Sequence, residues 1–249
     1  MRIGITERGD AGICFDWVPK IDTVEGVVLI TKNITPMFIR KVLECNKPVI
    51  VHCTCTGWGR TEIEPNVPNY RTQLDSLKHL IDSGFPAEHC VLRIDPIFPS
   101  GNGLKRVHEV LSYFQSLQTG VERIRISIVD EYRHVKERYI QHGWQPLYQQ
   151  FQADDSMLYD VMENLARYQR TFETCAENRL YQLSKEKYPD MFETTGCISE
   201  KDLSIMGIPF TLMGINPQQR HGCHCLSCKT ELLTERKQCP NQCVYCFWK

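Results

Sequence analysis

The chain has 249 residues, of which 42% are hydrophobic and 24% charged, and its formal net charge is -1. That balance excludes a disordered or fibrous protein, and the length suffices for one large domain, such as a single barrel of roughly 250 residues. The near-zero charge lacks the global basic signature of many nucleic-acid binders, so nucleic acid is neither indicated nor excluded.

In chain order, short apolar, β-branched runs read as buried strands at 2–6 (RIGIT), 26–33 (GVVLITKN), 48–56 (PVIVHCTCT), 90–97 (CVLRIDPI) and 123–130 (RIRISIVD). Amphipathic segments at 35–46, 69–84 and 103–118 lie between them with apolar residues at helical spacing. A longer helix is predicted over 154–171, with Asp154 or Asp155 as N-cap and Met157, Val161 and Leu165 on one stripe. One more strand candidate, TFETCAE at 171–177, follows, and then the alternation fades into GCISEKDLSIMG and a Cys-rich tail.

Strands alternating with helices imply parallel pairing through right-handed crossovers, hence an α/β fold: a doubly wound sheet or a complete or partial β/α barrel. The economical organisation is one domain over 1–249, with 222–249 as a Cys-rich metal-binding or cluster-binding tail. No basic leader with an apolar core and no run of about 18 apolar residues occurs, so a cytoplasmic protein with no membrane partner is expected. In that setting thirteen cysteines, an odd number, read better as metal ligands than as a disulfide framework.

Ligand sites of parallel β/α folds lie at the carboxyl ends of the strands. Those ends carry Glu7, Arg8 and Asp10; Lys32 and Asn33; Cys53, Cys55, Glu62 and Glu64; Arg93 and Asp95; Asp130, Tyr132 and Arg133; and Cys175 with Glu177. Near the end of the chain, Cys239, Cys243 and Cys246 stand as C-x3-C-x2-C within CPNQCVYCFW, with Tyr245 ahead of the last thiol. A loop of this spacing turns three thiolates toward one point and leaves the fourth iron of a 4Fe-4S cluster without a protein ligand. That iron is then free to chelate the amino and carboxylate groups of S-adenosylmethionine and place its sulfonium for one-electron cleavage.

The stretches LITKN (29–33), TEIEPNVPNYRTQLDSLKHLIDSGFP (61–86), LRIDPIFP (92–99) and the loop CPNQCVYCFW together resemble radical SAM proteins related to spore photoproduct lyase. The closer likeness is to a branch with the cluster loop at the C-terminus. The resemblance spans most of the chain and implies a circularly permuted barrel, in which KTELL at 229–233 is the first strand and RIGITERGD the second. It further implies an iron-sulfur enzyme that reductively cleaves S-adenosylmethionine to a 5'-deoxyadenosyl radical. The substrate is open, with a nucleobase or nucleic-acid lesion as the leading guess, and an electron donor is the implied partner.

On the same resemblance Glu7, Arg8 and Asp10 would hold the amino group or ribose of the cofactor, and Lys32 would pair with its carboxylate. Glu64, Arg93 and Tyr245 would complete the cofactor-binding set. Cysteines at the positions of Cys175, Cys197, Cys223 and Cys225 suggest an auxiliary four-thiolate site, holding either a second 4Fe-4S cluster or zinc, with Cys228 and His224 as substitutes. Cys53 and Cys55, one strand period apart, face one side, and either could donate a hydrogen atom to a substrate radical, a role a cysteine plays in the lyase. The competing reading is a non-catalytic zinc ribbon built from Cys225-x2-Cys228 and Cys243-x2-Cys246.

Overall fold

A computed structural model of the chain describes residues 2–210, 222–234 and 239–248. Its strands are β1 (Ile3–Ile5), β2 (Gly26–Thr31), β3 (Val49–Thr54), β4 (Cys90–Ile97), β5 (Arg123–Ile128), β6 (Phe172–Cys175), β7 (Phe192–Thr195) and β8 (Lys229–Glu231). The helices are α1 (Pro36–Leu43), α2 (Tyr70–Asp82), α3 (Gly101–Ser116), α4 (Arg133–Gln141), α5 (Asp155–Ala166), α6 (Asn178–Lys187) and α7 (Glu200–Ile205).

All strand pairs are parallel, and the sheet order is β7-β6-β5-β4-β3-β2-β1-β8. The sheet curls into an α/β half-barrel whose edges are β7 and β8. Because β8 pairs with β1 and not with β7, the last strand of the chain occupies the place ahead of the first, as expected for the permuted order. Ile3, Gly4 and Ile5 register against Lys229, Thr230 and Glu231.

Local sequence explains why the elements start where they do. Every residue of β2, β3 and β5 is buried, the pattern of a parallel sheet covered on both faces. The side chains of Thr35, Asn69, Ser100 and Asp154 accept hydrogen bonds from the backbone N–H three residues on, capping α1, α2, α3 and α5. Ser199 and Asp202 form a reciprocal capping box on α7. The helix predicted over 154–171 stops at Ala166; Leu158 and Met162 join Val161 and Leu165 in its buried face, while Met157 is only half-buried.

Alternation along each strand divides the core in two. Toward the helix layer point Val27, Leu29, Val51, Cys53, Leu92, Ile94, Ile124 and Ile126. On the concave face Ile3, Ile5, Val28, Ile30, Ile50 and Val91 pack against Ile198, Leu203, Met206 and Leu226, so α7 and the 222–228 segment fill the base of the half-barrel. Further along the same face the strands carry charge: Arg123 and Arg125 pair with Glu173, and Arg123 also with Asp202, through buried bonds of 2.6 to 3.2 Å. His52 lies fully buried among these arginines; burial first, and then the neighbouring guanidinium charges, hold it neutral, well below the usual histidine range.

Candidate metal centre

A cavity of about 540 Å³ opens at the carboxyl ends of the strands. Its size suits a cofactor-sized ligand. Six of the seven residues expected to bind the cofactor line it, namely Glu7, Arg8, Asp10, Lys32, Arg93 and Tyr245, together with Asp95, Asp130 and Tyr132. Two groups of thiols also face it, Cys239, Cys243 and Cys246 from the C-terminal loop and Cys175, Cys197 and Cys223 from the far wall.

The C-terminal loop is anchored from three sides. Asp10 is its hub: one carboxylate oxygen accepts from the Gly12 N–H at 2.9 Å and the Thr31 hydroxyl at 2.5 Å. The other accepts from the Lys32 N–H and Asn33 Nδ2, both at 2.9 Å, and from Asn241 Nδ2 at 2.6 Å. Asn33 Nδ2 also donates to Asn241 Oδ1 at 2.9 Å, closing a triangle between the segments after β1 and β2 and the loop. On the opposite side Arg138 of α4 donates to the carbonyls of Val244 (2.8 Å) and Cys246. Val244 N–H donates to the Ile63 carbonyl at 3.0 Å, and Asn66 Nδ2 to that of Pro240 at 2.7 Å. Within the loop Gln242 has φ 51°, a left-handed conformation that a non-glycine residue holds only where its surroundings enforce it.

These contacts give three of the expected cofactor-binding residues protein partners of their own. Asp10, expected to hold the cofactor's amino group or ribose, has its carboxylate saturated by five protein donors and acts by positioning the loop. Glu7, given the same role, makes an ion pair with Lys229, while its own N–H donates to Glu231 at 2.9 Å. Glu64 lies outside the cavity lining and is fully buried; it accepts from Lys32 Nζ and Thr56 Oγ1, each at 2.8 Å, and from the Tyr245 hydroxyl. Lys32 therefore already has a carboxylate partner. Burial disfavours its charge, but Glu64, Cys243 and Asp95 together outweigh that and raise its pKa above the ordinary lysine value. Arg93 likewise pairs with Asp95, and the Arg8 guanidinium stacks 4.9 Å from the Trp248 ring at the cavity rim.

Cys53 and Cys55 are a correction. The pleat of β3 turns them to the helix layer, where their sulfurs lie 4.0 Å from the carbonyls of Gln73 and Tyr70, and neither lines the cavity. Burial pushes Cys53 up to about 12 and Cys55 well above the usual thiol range. The residue that β3 sends toward the cavity is Thr54. Neither thiol is therefore placed to meet a substrate in the cavity.

The far-wall thiols come from separate places: Cys175 ends β6, Cys197 follows β7, and Cys223 and Cys225 precede β8. Cys175 and Cys197 sulfurs are 3.7 Å apart, Cys223 and Cys225 sulfurs 3.1 Å, and the Cys197 N–H donates to Cys225 Sγ at 3.0 Å. Among the described residues, Cys175, Cys197 and Cys225 are the group whose ligand atoms all lie within 4.8 Å of one another, and Cys239, Cys243 and Cys246 are not drawn that close. All thirteen cysteines are free thiols. Cys228 stands apart, its carbonyl accepting from the Ile3 N–H at 2.9 Å beside β1. With Cys225 committed to the far wall, the zinc-ribbon pairing of Cys225 and Cys228 with Cys243 and Cys246 is not formed. His224 contacts Asn178 at 3.3 Å.

Both groups fit a soft metal by their donors. Burial raises Cys239 to about 11 and Cys243 to about 12, with Lys32 opposing it at Cys243, so metal uptake there must expel protons. At the far wall Cys175 is held below the usual thiol range by hydrogen bonds from Cys197 and Cys223, while Cys197, Cys223 and Cys225 are pushed up, so uptake there expels protons too. Asn241 and Arg138 were missed from sequence; Asn241 could have been flagged, since it sits inside the C-x3-C interval.

Among the described residues no helix is long and apolar enough to cross a membrane. No curated protein matches the chain. One family model does match, over residues 17–248, a span that takes in both thiol groups and seven of the eight strands, and the chain therefore belongs to the family described as a domain of unknown function (DUF1848).

Proposed function

We propose that the protein is an iron-sulfur enzyme of the radical SAM type, with Cys239, Cys243 and Cys246 as the ligands of a 4Fe-4S cluster and S-adenosylmethionine in the adjoining cavity. The observation that carries this reading is the C-x3-C-x2-C loop itself, fixed by Asp10, Asn241 and Arg138 so that its three thiols face a 540 Å³ cavity at the strand ends. When bound, such a cluster supplies an iron free of protein ligands for the methionyl group and an electron for the sulfonium.

The chain's own groups divide the remaining work. The Lys32–Glu64–Tyr245 triad places a cation beside Cys243 while neutralising it with a buried carboxylate, which eases thiolate formation without leaving an uncompensated charge. Arg93 and Asp95 present a paired guanidinium and carboxylate on the β4 side of the cavity. At the mouth Tyr132, Phe247 and Trp248 line the opening, and Arg8 stacks on the last of them. Flat aromatic faces beside a guanidinium favour a planar, stackable substrate, which supports a nucleobase over an aliphatic one.

The test is anaerobic reconstitution with iron and sulfide, followed by reductant and S-adenosylmethionine. The expected result is a brown protein that releases 5'-deoxyadenosine, and the Cys239→Ala, Cys243→Ala, Cys246→Ala triple variant should release none. Release by the triple variant would show that another site performs the cleavage.

A further inference from the structure

We infer that Cys175, Cys197, Cys223 and Cys225 form a mononuclear, all-sulfur tetrahedral metal site, best matched to zinc, that clasps the open side of the half-barrel. The inference stands independently of the proposed enzymatic activity, because it uses neither the C-terminal loop nor the cofactor.

Spacing is the first argument. A tetrahedral ion with zinc–sulfur bonds of about 2.3 Å holds neighbouring sulfurs about 3.8 Å apart. The Cys175–Cys197 separation is 3.7 Å, Cys223 and Cys225 lie at 3.1 Å, and Cys175, Cys197 and Cys225 fall mutually within 4.8 Å. A 4Fe-4S cube interposes four irons and four sulfides between its thiolates and needs them much farther apart. Sulfurs this close suit a single ion at the centre of Cys175, Cys197 and Cys225, with Cys223 beside Cys225 as the fourth donor.

Charge and hydrogen bonding agree. Four thiolates around a divalent ion leave two negative charges, and Arg93, Arg125 and Lys229 lie within electrostatic reach of Cys175, Cys197 and Cys225. The Cys197 N–H aimed at Cys225 Sγ supplies the outer contact that orients a thiolate ligand. A purely sulfur donor set selects a soft or borderline ion over magnesium or calcium.

Topology gives the site its purpose. The half-barrel is open between β7 and β8, and the ligands come from the β6 end, the turn after β7 and the segment before β8. One ion would therefore tie both edges of the sheet together. The segments are already laid side by side: Leu226 N–H donates to the Ile198 carbonyl at 3.1 Å, and a Cβ on Gly196 would fall 2.6 Å from the Cys225 Cα, so only glycine admits this approach.

The decisive experiment uses the full chain carrying Cys239→Ala, Cys243→Ala and Cys246→Ala, purified anaerobically and assayed for metals and acid-labile sulfide. About one zinc per chain and no sulfide are expected, and cobalt(II) exchange should give thiolate-to-cobalt charge transfer with tetrahedral visible bands. Adding Cys197→Ser should cut bound zinc at least tenfold; if that chain does not fold, the cobalt titration of the triple variant decides. Iron with matching sulfide in the triple variant, or four titratable thiols and no metal, overturns the inference. A wild-type chain that binds zinc but no cluster would remove the proposed enzyme and leave this site standing.

Discussion

Cys239, Cys243 and Cys246 come from eight consecutive residues, whereas Cys175, Cys197, Cys223 and Cys225 are gathered from three segments spread over β6, β7 and the approach to β8. The contiguous group is held apart and aimed into the cavity by partners borrowed from the segments after β1 and β2 and from α4. The scattered group has its sulfurs in near contact and needs no such brackets. Closeness along the chain and closeness in space are thus inverted between the two sites. A loop leaves its thiols room for a cluster, while scattered ligands converge only because the fold brings them together, and they in turn hold the fold.

If that contrast is right, the two sites should fail differently. The largest effect is expected at the scattered site. Cys225→Ser should lower the melting temperature of zinc-loaded protein by roughly 10 °C or more, since a metal that joins the sheet edges contributes folding free energy directly. Differential scanning calorimetry, with iron measured in parallel, checks it; an unchanged melting temperature would make the site decorative.

Next comes Asp10→Ala, which strands the buried donors of Thr31, Lys32, Asn33 and Asn241. A loss of roughly 3 kcal/mol in denaturant titrations is expected, with iron uptake falling and zinc unchanged. Zinc lost together with iron would mean that the two sites are coupled.

A smaller effect is expected from acid. His52 is neutral in the fold, its pKa lowered by burial and then by Arg125, Arg93 and Arg123, the first two of which also act on Cys175 and Cys197. Below about pH 6.5 the unfolded chain takes up a proton that the folded chain refuses, so stability is complete above that pH and falls as pH drops, by roughly 1.4 kcal/mol per unit for this residue. Replacing it by Gln should reduce the acid slope of the unfolding free energy by about that amount; equal slopes in both proteins would place the proton elsewhere.

The smallest change is expected from Tyr245→Phe, which removes one of three hydrogen bonds to Glu64 and leaves the Lys32 pair in place. About 1 kcal/mol of stability should be lost, with cluster binding retained. Complete loss of cluster by this variant would show that Tyr245 does more than brace the triad.

Some features were legible in the residues themselves. The central strands are unbroken β-branched runs because both faces are buried, and short-range patterning suffices to announce that. The permuted order was implied by the family resemblance, and β8 beside β1 realises it. By contrast β7 escaped notice because Glu193 and Thr194 are exposed on an edge strand, leaving no apolar run. The helix α4 buries only Val135 and Tyr139 among charged neighbours, too faint a stripe to read.

What the sequence by itself determined is the β/α alternation and the contiguous thiol loop, since propensity and spacing act over a few residues. Tertiary structure alone decided that Cys53 and Cys55 face the helices, that Asp10 serves Asn241 across 231 positions of chain, and that the distant thiols of Cys175, Cys197 and Cys225 meet at one point. Those outcomes depend on strand facing and on long-range partners, which no local pattern encodes.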